Sequence, residues 1–84
     1  MQVIVNISFK EGVLDPQGQA IARSLNNLGF VEVGEIRVGK RIVLELDETD
    51  EVRLHQRVSK MCEALLSNTV IEDYEIEIPD GQNS

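Results

Sequence analysis

Apolar residues in the stretch Val31 to Leu46 (VEVGEIRVGKRIVLEL) recur at every second position on both sides of Gly39, so Ile36, Val38, Ile42, Leu44 and Leu46 share one face. Alternation with many β-branched residues predicts a half-buried strand. A two-residue hairpin at Gly39 and Lys40 would set inward residues opposite outward ones, and a loop of Val38 to Lys40 would place Arg37 against Arg41. One long, bent strand fits better, with Gly34 as a bulge that absorbs the opposite phase of Val31 and Val33. At about 3.3 Å per residue it spans roughly 50 Å. A compact chain of this length has a radius of gyration of about 12 Å and so a diameter of roughly 30 Å. The strand would overrun its own fold, and a second copy of the chain is the expected cover.

Val3, Val5, Ile7 and Phe9 alternate in a first strand. Asp15 then caps a helix whose first position is Pro16, with Ile21, Leu25 and Leu28 on one face and a Schellman ending at Gly29 and Phe30. Gly18 in the first turn disfavours the helix by about 1 kcal/mol relative to Ala. Two roles would explain it: close packing of helix on sheet, or backbone approach to a partner or ligand. After the long strand, Leu54, Val58, Met61 and Leu65 repeat at helical spacing, Asn68 offers a left-handed stop, and Tyr74, Ile76 and Ile78 alternate with acids in a last strand. The order predicts an α+β two-layer sandwich, β-α-β(long)-α-β, with an antiparallel sheet, two helices on one face and a dimer formed through the long strand. Splitting the long strand would give the ferredoxin-like order. Residues 1–78 form one domain on this reading, and 79–84 a disordered tail.

Length and charge narrow the partners. A chain of 84 residues buries only about 60 to 65% of its unfolded surface, so its core is marginal without oligomerisation. A net charge of −7, from 8 basic and 15 acidic residues, argues against nucleic acid, as do only three aromatic residues, Phe9, Phe30 and Tyr74. No stretch approaches the roughly 20 apolar residues of a membrane span. The single Cys62 and a first strand directly after Met1 lead to an expected cytoplasmic setting.

Convergent chemistry is scarce. His55 and Cys62 lie two helical turns, roughly 10 Å, apart, too far for a thiol–imidazole hydrogen bond. Cys62 reads as a packed residue and His55 as a surface one, with no second histidine for a metal site. Asp47 with Asp50, and Glu72 with Asp73, read as first-turn and solvated charges rather than an acid–base pair. Neither Gly34 nor Gly39 opens a helix, so neither makes a phosphate cradle. The basic residues are the unusual feature: Arg37, Lys40 and Arg41 surround Gly39, and Arg53, Arg57 and Lys60 form a helical stripe. The first group would repel itself unless an acidic partner met it, and the stripe reads as a solvated face.

Glu11 to Gly18 (EGVLDPQG), Arg37 to Lys40 (RVGK) and Met61 to Tyr74 (MCEALLSNTVIEDY) resemble the PurS family, the small subunits of multi-subunit phosphoribosylformylglycinamidine synthase. The resemblance runs from about Val3 to Ile78. It implies a non-catalytic chain, a homodimer or dimer of dimers, that bridges a glutaminase subunit (PurQ type) and a large ATP-dependent synthetase subunit (PurL type) and supports ammonia transfer. It implies no cofactor on this chain, with ATP and Mg used by the complex. The best candidates for subunit contacts by resemblance are Asp15, Pro16, Gln17, Gly18, Arg37, Gly39, Lys40 and Arg41, with no residue catalytic. The competing class is a regulatory α+β domain that binds a small metabolite.

Overall fold

A computed structural model describes residues 1–79. Strand β1 (Gln2–Phe9) is followed by helix α1 (Pro16–Asn27), strand β2 (Lys40–Glu45), helix α2 (Glu51–Met61) and strand β3 (Glu72–Glu77). The strands form one sheet in the order β2-β1-β3, and β1 is antiparallel to both neighbours. The α+β class, the antiparallel sheet and the element order are those expected.

Because β2 and β3 both run opposite to β1, the β2-α2-β3 connection must cross the face of β1. Helix α2 therefore covers the sheet, and Leu54, Val58 and Cys62 pack on Val3, Val5 and Ile7. Ile42 and Ile76 flank Val5 on the same rung, and Leu44 and Tyr74 extend that face along the strands. Full burial of each such side chain contributes about 1.5 to 3 kcal/mol. Helix α1 joins two adjacent antiparallel strands and has no need to cross the sheet. Among the described residues, none of α1 belongs to the core or packs against it, so one helix, and not two, covers the sheet face.

The alternation after Val31 holds its phase, since Ile36, Val38, Ile42, Leu44 and Leu46 are all partly buried and the residues between them exposed. Strand pairing, however, is confined to Lys40–Glu45. The single long strand is corrected by the length of β1, whose register with β2 ends at the pair Ile7 and Lys40. Beyond Phe9 the chain turns, with Val13 N donating to Lys10 O at 3.1 Å, so residues 33–38 pair with no strand among the described residues and run beside α1 instead. The expected bulge at Gly34 is absent because no ladder exists there to bulge.

Helix α1 ends as its sequence predicts. Gly29 takes φ 106°, with its N–H on Asn26 O at 3.1 Å and Phe30 N–H on Leu25 O at 3.0 Å, the Schellman pair of bonds. Helix α2 ends differently. Leu54, Val58, Cys62 and Leu66 lie four residues apart, and an α-helix would rotate each step about 40° off the core. A π turn at Cys62–Leu66, closed by Ser67 N on Cys62 O at 2.9 Å, takes up that drift. Leu66 thereby packs on the core while Leu65, the expected core residue, is 84% exposed. Asn68 does not adopt the left-handed conformation; its Oδ1 accepts from Val70 N at 3.1 Å in an Asx turn.

The radius of gyration is 16.4 Å and the longest dimension 49 Å, against about 12 Å for the radius of a compact chain of this length. The excess comes from α1 and residues 30–39, which project from the sheet. Of the expected tail 79–84, all but Pro79 lies outside the described residues.

Candidate functional site

One carboxylate joins the start of α1 to the 36–38 segment, and Asn26 Nδ2, donating to Val33 O at 3.3 Å, joins its far end to the same limb. Asp15 caps α1 through Oδ1, which accepts from Gly18 N at 2.8 Å, while Oδ2 accepts from Val38 N at 2.7 Å. The side chain is 2% exposed. These two backbone donors, with Arg37 nearby, hold the carboxyl below the usual range against the opposing effect of burial. Pro16 occupies the first helical position, where its missing N–H leaves no orphan donor.

Gly18 lies directly on the 36–38 segment. A Cβ there would sit inside the contact distance of the Ile36 carbonyl oxygen, 2.9 Å from the carbonyl carbon and 3.0 Å from Asp15 Oδ2. The first of its two possible roles is therefore present in altered form: helix packs on an extended segment instead of on the sheet. The glycine admits the close approach, and Asp15 bonds both sides of it.

Arg37 works within the chain. Nη1 donates to Val13 O at 2.8 Å and Nη2 to Lys10 O at 3.2 Å, and the guanidinium lies 6.0 Å from the Phe9 ring centroid. It closes the loop between β1 and α1 onto the limb. Gly39 marks the entry to β2, where a Cβ would lie 2.7 Å from Ile7 O. Lys40 pairs with Glu72 at 3.8 Å, and Arg41 is exposed next to Asn6 on the other face of the sheet. Arg37, Lys40 and Arg41 are thus not one repelling cluster: the pleat sends Lys40 and Arg41 to opposite faces, and Arg37 rests on carbonyls. Pro16, Gln17 and Arg41 remain open to a partner.

An uncovered apolar face on and after α1 was not among the candidates. Ile21, Leu28, Phe30 and Val31 are all exposed, Leu28 at 73% and Val31 at 78%. The signal was present, because Ile21, Leu25 and Leu28 were expected to be a buried face; among the described residues no part of the hydrophobic core covers them. Beside it, an open cleft of about 610 Å³ runs between the Gly12–Asp15 loop, α1 and the Gly34–Arg37 segment.

Elsewhere, Tyr74 Oη bridges Ser59 Oγ at 3.1 Å and Glu63 Oε2 at 3.0 Å. Burial and the neighbouring Glu63 push the Cys62 thiol up, which keeps it protonated. His55 is exposed. Among the described residues no three His, Cys, Asp or Glu side chains are grouped to hold a metal, and no helix is long and apolar enough to cross a membrane.

Residues 2–80 match the model of the family described as PurS: phosphoribosylformylglycinamidine (FGAM) synthase. The chain is 44% identical over 79 residues to the Bacillus subtilis subunit PurS of that enzyme, covering 94% of this chain and 93% of the relative. It is 43% identical over 74 residues to the Methanocaldococcus jannaschii PurS, covering 88% and 89%. A crystal structure of B. subtilis PurS superposes with a TM-score of 0.85 over 94% of this chain and 98% of that one. A chain in the structure of PurLQS from Thermotoga maritima, 33% identical, superposes with a TM-score of 0.81 over 90% and 93%.

Proposed function

The chain belongs to the PurS family of FGAM synthase subunits, and from that premise we propose that it is the non-catalytic subunit that bridges the glutaminase (PurQ type) and the ATP-dependent synthetase (PurL type). The complex is a glutamine-dependent, ATP-consuming ligase of purine biosynthesis, forming FGAM from formylglycinamide ribonucleotide. The likeness to a chain of the T. maritima PurLQS assembly carries this reading. Magnesium would accompany ATP on the synthetase subunit, and the setting is cytoplasmic.

Residues 1–78 act as one domain, a reading supported by the family match over residues 2–80. The chain works as a homodimer or dimer of dimers, supported by the uncovered apolar face of α1 and the projecting limb, both of which a second copy would bury. We assign subunit contacts to the Asp15, Pro16, Gln17, Gly18 turn and to Arg37, Gly39, Lys40 and Arg41. Within this set the roles divide. Asp15, Gly18, Arg37 and Gly39 set the shape of the limb, and Pro16, Gln17, Lys40 and Arg41 present side chains to a partner.

Co-sedimentation of the cognate glutaminase and synthetase subunits with and without this chain tests the reading. A ternary species that forms only with the chain is the expected result. A glutaminase–synthetase pair that excludes the chain at every concentration would overturn it.

A further inference from the structure

The sheet has two open edges, β2 and β3, and the strand between them fixes which backbone groups each edge presents. Met1 N donates to Leu46 O at 2.6 Å and Leu46 N to Met1 O at 2.9 Å, so these two residues form a doubly bonded pair. In an antiparallel ladder such pairs recur at every second residue, which makes Val3 with Leu44, Val5 with Ile42 and Ile7 with Lys40 the bonded rungs of the same register. Arg41, Val43 and Glu45 therefore direct their N–H and C=O groups away from β1. No loop backbone or side chain is bonded to those groups among the described residues.

An open edge is a template for another strand unless proline, a bulge or charge blunts it. Charge blunts β3. Its six residues, EDYEIE, hold four acids and no base, so a second copy laid along it sets acids against acids with nothing to offset them. Strand β2 differs. Arg41 to Glu45 (RIVLE) runs from a base through three apolar residues to an acid, with no proline. Laid antiparallel on itself about Val43, it sets each Arg41 opposite the partner's Glu45, each Ile42 opposite the partner's Leu44, and Val43 opposite its own counterpart. The centre falls on a residue whose backbone faces outward, so outward groups meet outward groups and are bonded. Centring on Lys40 or Arg41 instead would set a base against itself.

The side chains are free for this. Val43 is 47% exposed, and Arg41 is exposed with no ion pair among the described residues. Glu45 reaches only the N-terminal ammonium, at 3.6 Å, a surface contact of little strength. Ile42 and Leu44 are half-buried beside the core, and the pairing continues the apolar face across them. Helix α2 lies over β1 in each copy, and the two β1 strands would be three strand spacings, about 14 Å, apart. Packed helices need about 8 to 10 Å between axes, so the two helices fit side by side.

We propose that the free edge of β2 pairs antiparallel with the same edge of a second copy, centred on Val43, so that each Arg41 meets the partner's Glu45 and two three-stranded sheets become one of six strands. This rests on the homodimer reading above and gives it one interface in one register.

The test is sedimentation of the full chain over a range of concentrations for wild type, Arg41→Glu, Glu45→Arg and the double variant, each first checked for wild-type circular dichroism. Either single reversal sets like charges together at two symmetry-related pairs and should raise the dissociation constant about tenfold. The double reversal restores opposite charges and should recover wild-type association, as should an equal mixture of the two single variants. Oxidation reads the register. Val43→Cys, with its two copies about 5.5 Å apart between Cα atoms, should form a disulfide between copies, whereas Arg41→Cys, with its two copies about 13 Å apart, should not. The native Cys62 is buried and stays out of the reaction. Association that ignores the single reversals, or that neither the double variant nor the mixture recovers, would overturn the edge pairing and leave the homodimer in place. So would amide protection at Val43 that appears only when the glutaminase or synthetase subunit is added, which would give the edge to that subunit. A wild-type chain that stays monomeric at every concentration would overturn the homodimer reading as well.

Discussion

Gly18→Ala sets two effects against each other. Alanine favours a helix over glycine by about 1 kcal/mol, so propensity alone makes the substitution stabilising. The structure reverses the sign. The new methyl would lie 2.9 Å from the Ile36 carbonyl carbon, and an ordinary contact of about 3.5 Å requires α1 and the 36–38 segment to separate by more than about half an ångström. Overpacking costs about 1 to 3 kcal/mol, and a methyl set against a backbone carbonyl belongs in the upper part of that range, about 2 to 3 kcal/mol; less the propensity gain, the net loss is about 1 to 2 kcal/mol. It falls on the limb, because α1 contributes nothing to the core on the sheet. The assay is amide exchange at Val38, whose N–H bonds Asp15 Oδ2 across the separating surfaces at 2.7 Å. Exchange there should quicken about 5- to 30-fold, with β1 amides unchanged and the exposed neighbour variant Gln17→Ala neutral. Slower exchange at Val38, or an α1 more protected than in wild type, would refute the close approach of Gly18 to Ile36.

Other consequences follow from the same packing. Leu54→Ala removes a fully buried side chain and should cost about 2 to 5 kcal/mol in denaturant unfolding at fixed protein concentration, whereas Leu65→Ala, on the outward side of the π turn, should stay within about 0.5 kcal/mol; the reverse order would place the π turn elsewhere. Asp15 has a folded pKa below its ordinary 3.8, so its contribution is complete above that value and is lost as pH falls through the folded one. An acid titration of the Gly18 and Val38 amide resonances should show that transition in wild type and not in Asp15→Asn. The buried Cys62 thiol should resist a thiol reagent in the folded chain and react at the ordinary rate in denaturant; equal rates would mean that the α2–sheet interface opens freely.

Local signals were the legible ones. The cap at Asp15, Pro16 at the first helical position and the Gly29 ending depend on residues within one turn of each other, and each formed as its chemistry dictates. Alternation through Gly39 correctly gave the phase of Ile36 to Leu46, since side-chain direction follows from an extended backbone alone. Pairing is another matter. Whether residues 33–39 lie in a ladder depends on how far β1 extends, which their own pattern does not contain. The π turn was missed because Leu65 fits a 3.6-residue period and Leu66 does not, yet the four-residue spacing from Leu54 through Cys62 to Leu66 was present as a signal. At the candidate site, the motif containing Asp15 and Gly18 was legible as a turn, but its partner, the Val38 amide, lies far along the chain. Arg37 carried a charge that invited an acidic partner, and the geometry gave it carbonyls.

As a non-catalytic bridge, the chain would support the transfer of ammonia from the glutaminase to the synthetase and perform no chemistry of its own. The direct measurement is the rate of FGAM formation by the cognate synthetase and glutaminase with and without this chain, supplied in turn with glutamine and with ammonium. A glutamine-dependent rate that falls sharply without the chain, beside an ammonium-dependent rate that does not, is the result expected. Two rates that depend on the chain equally would contradict the claim and put the chain within the synthetase chemistry itself.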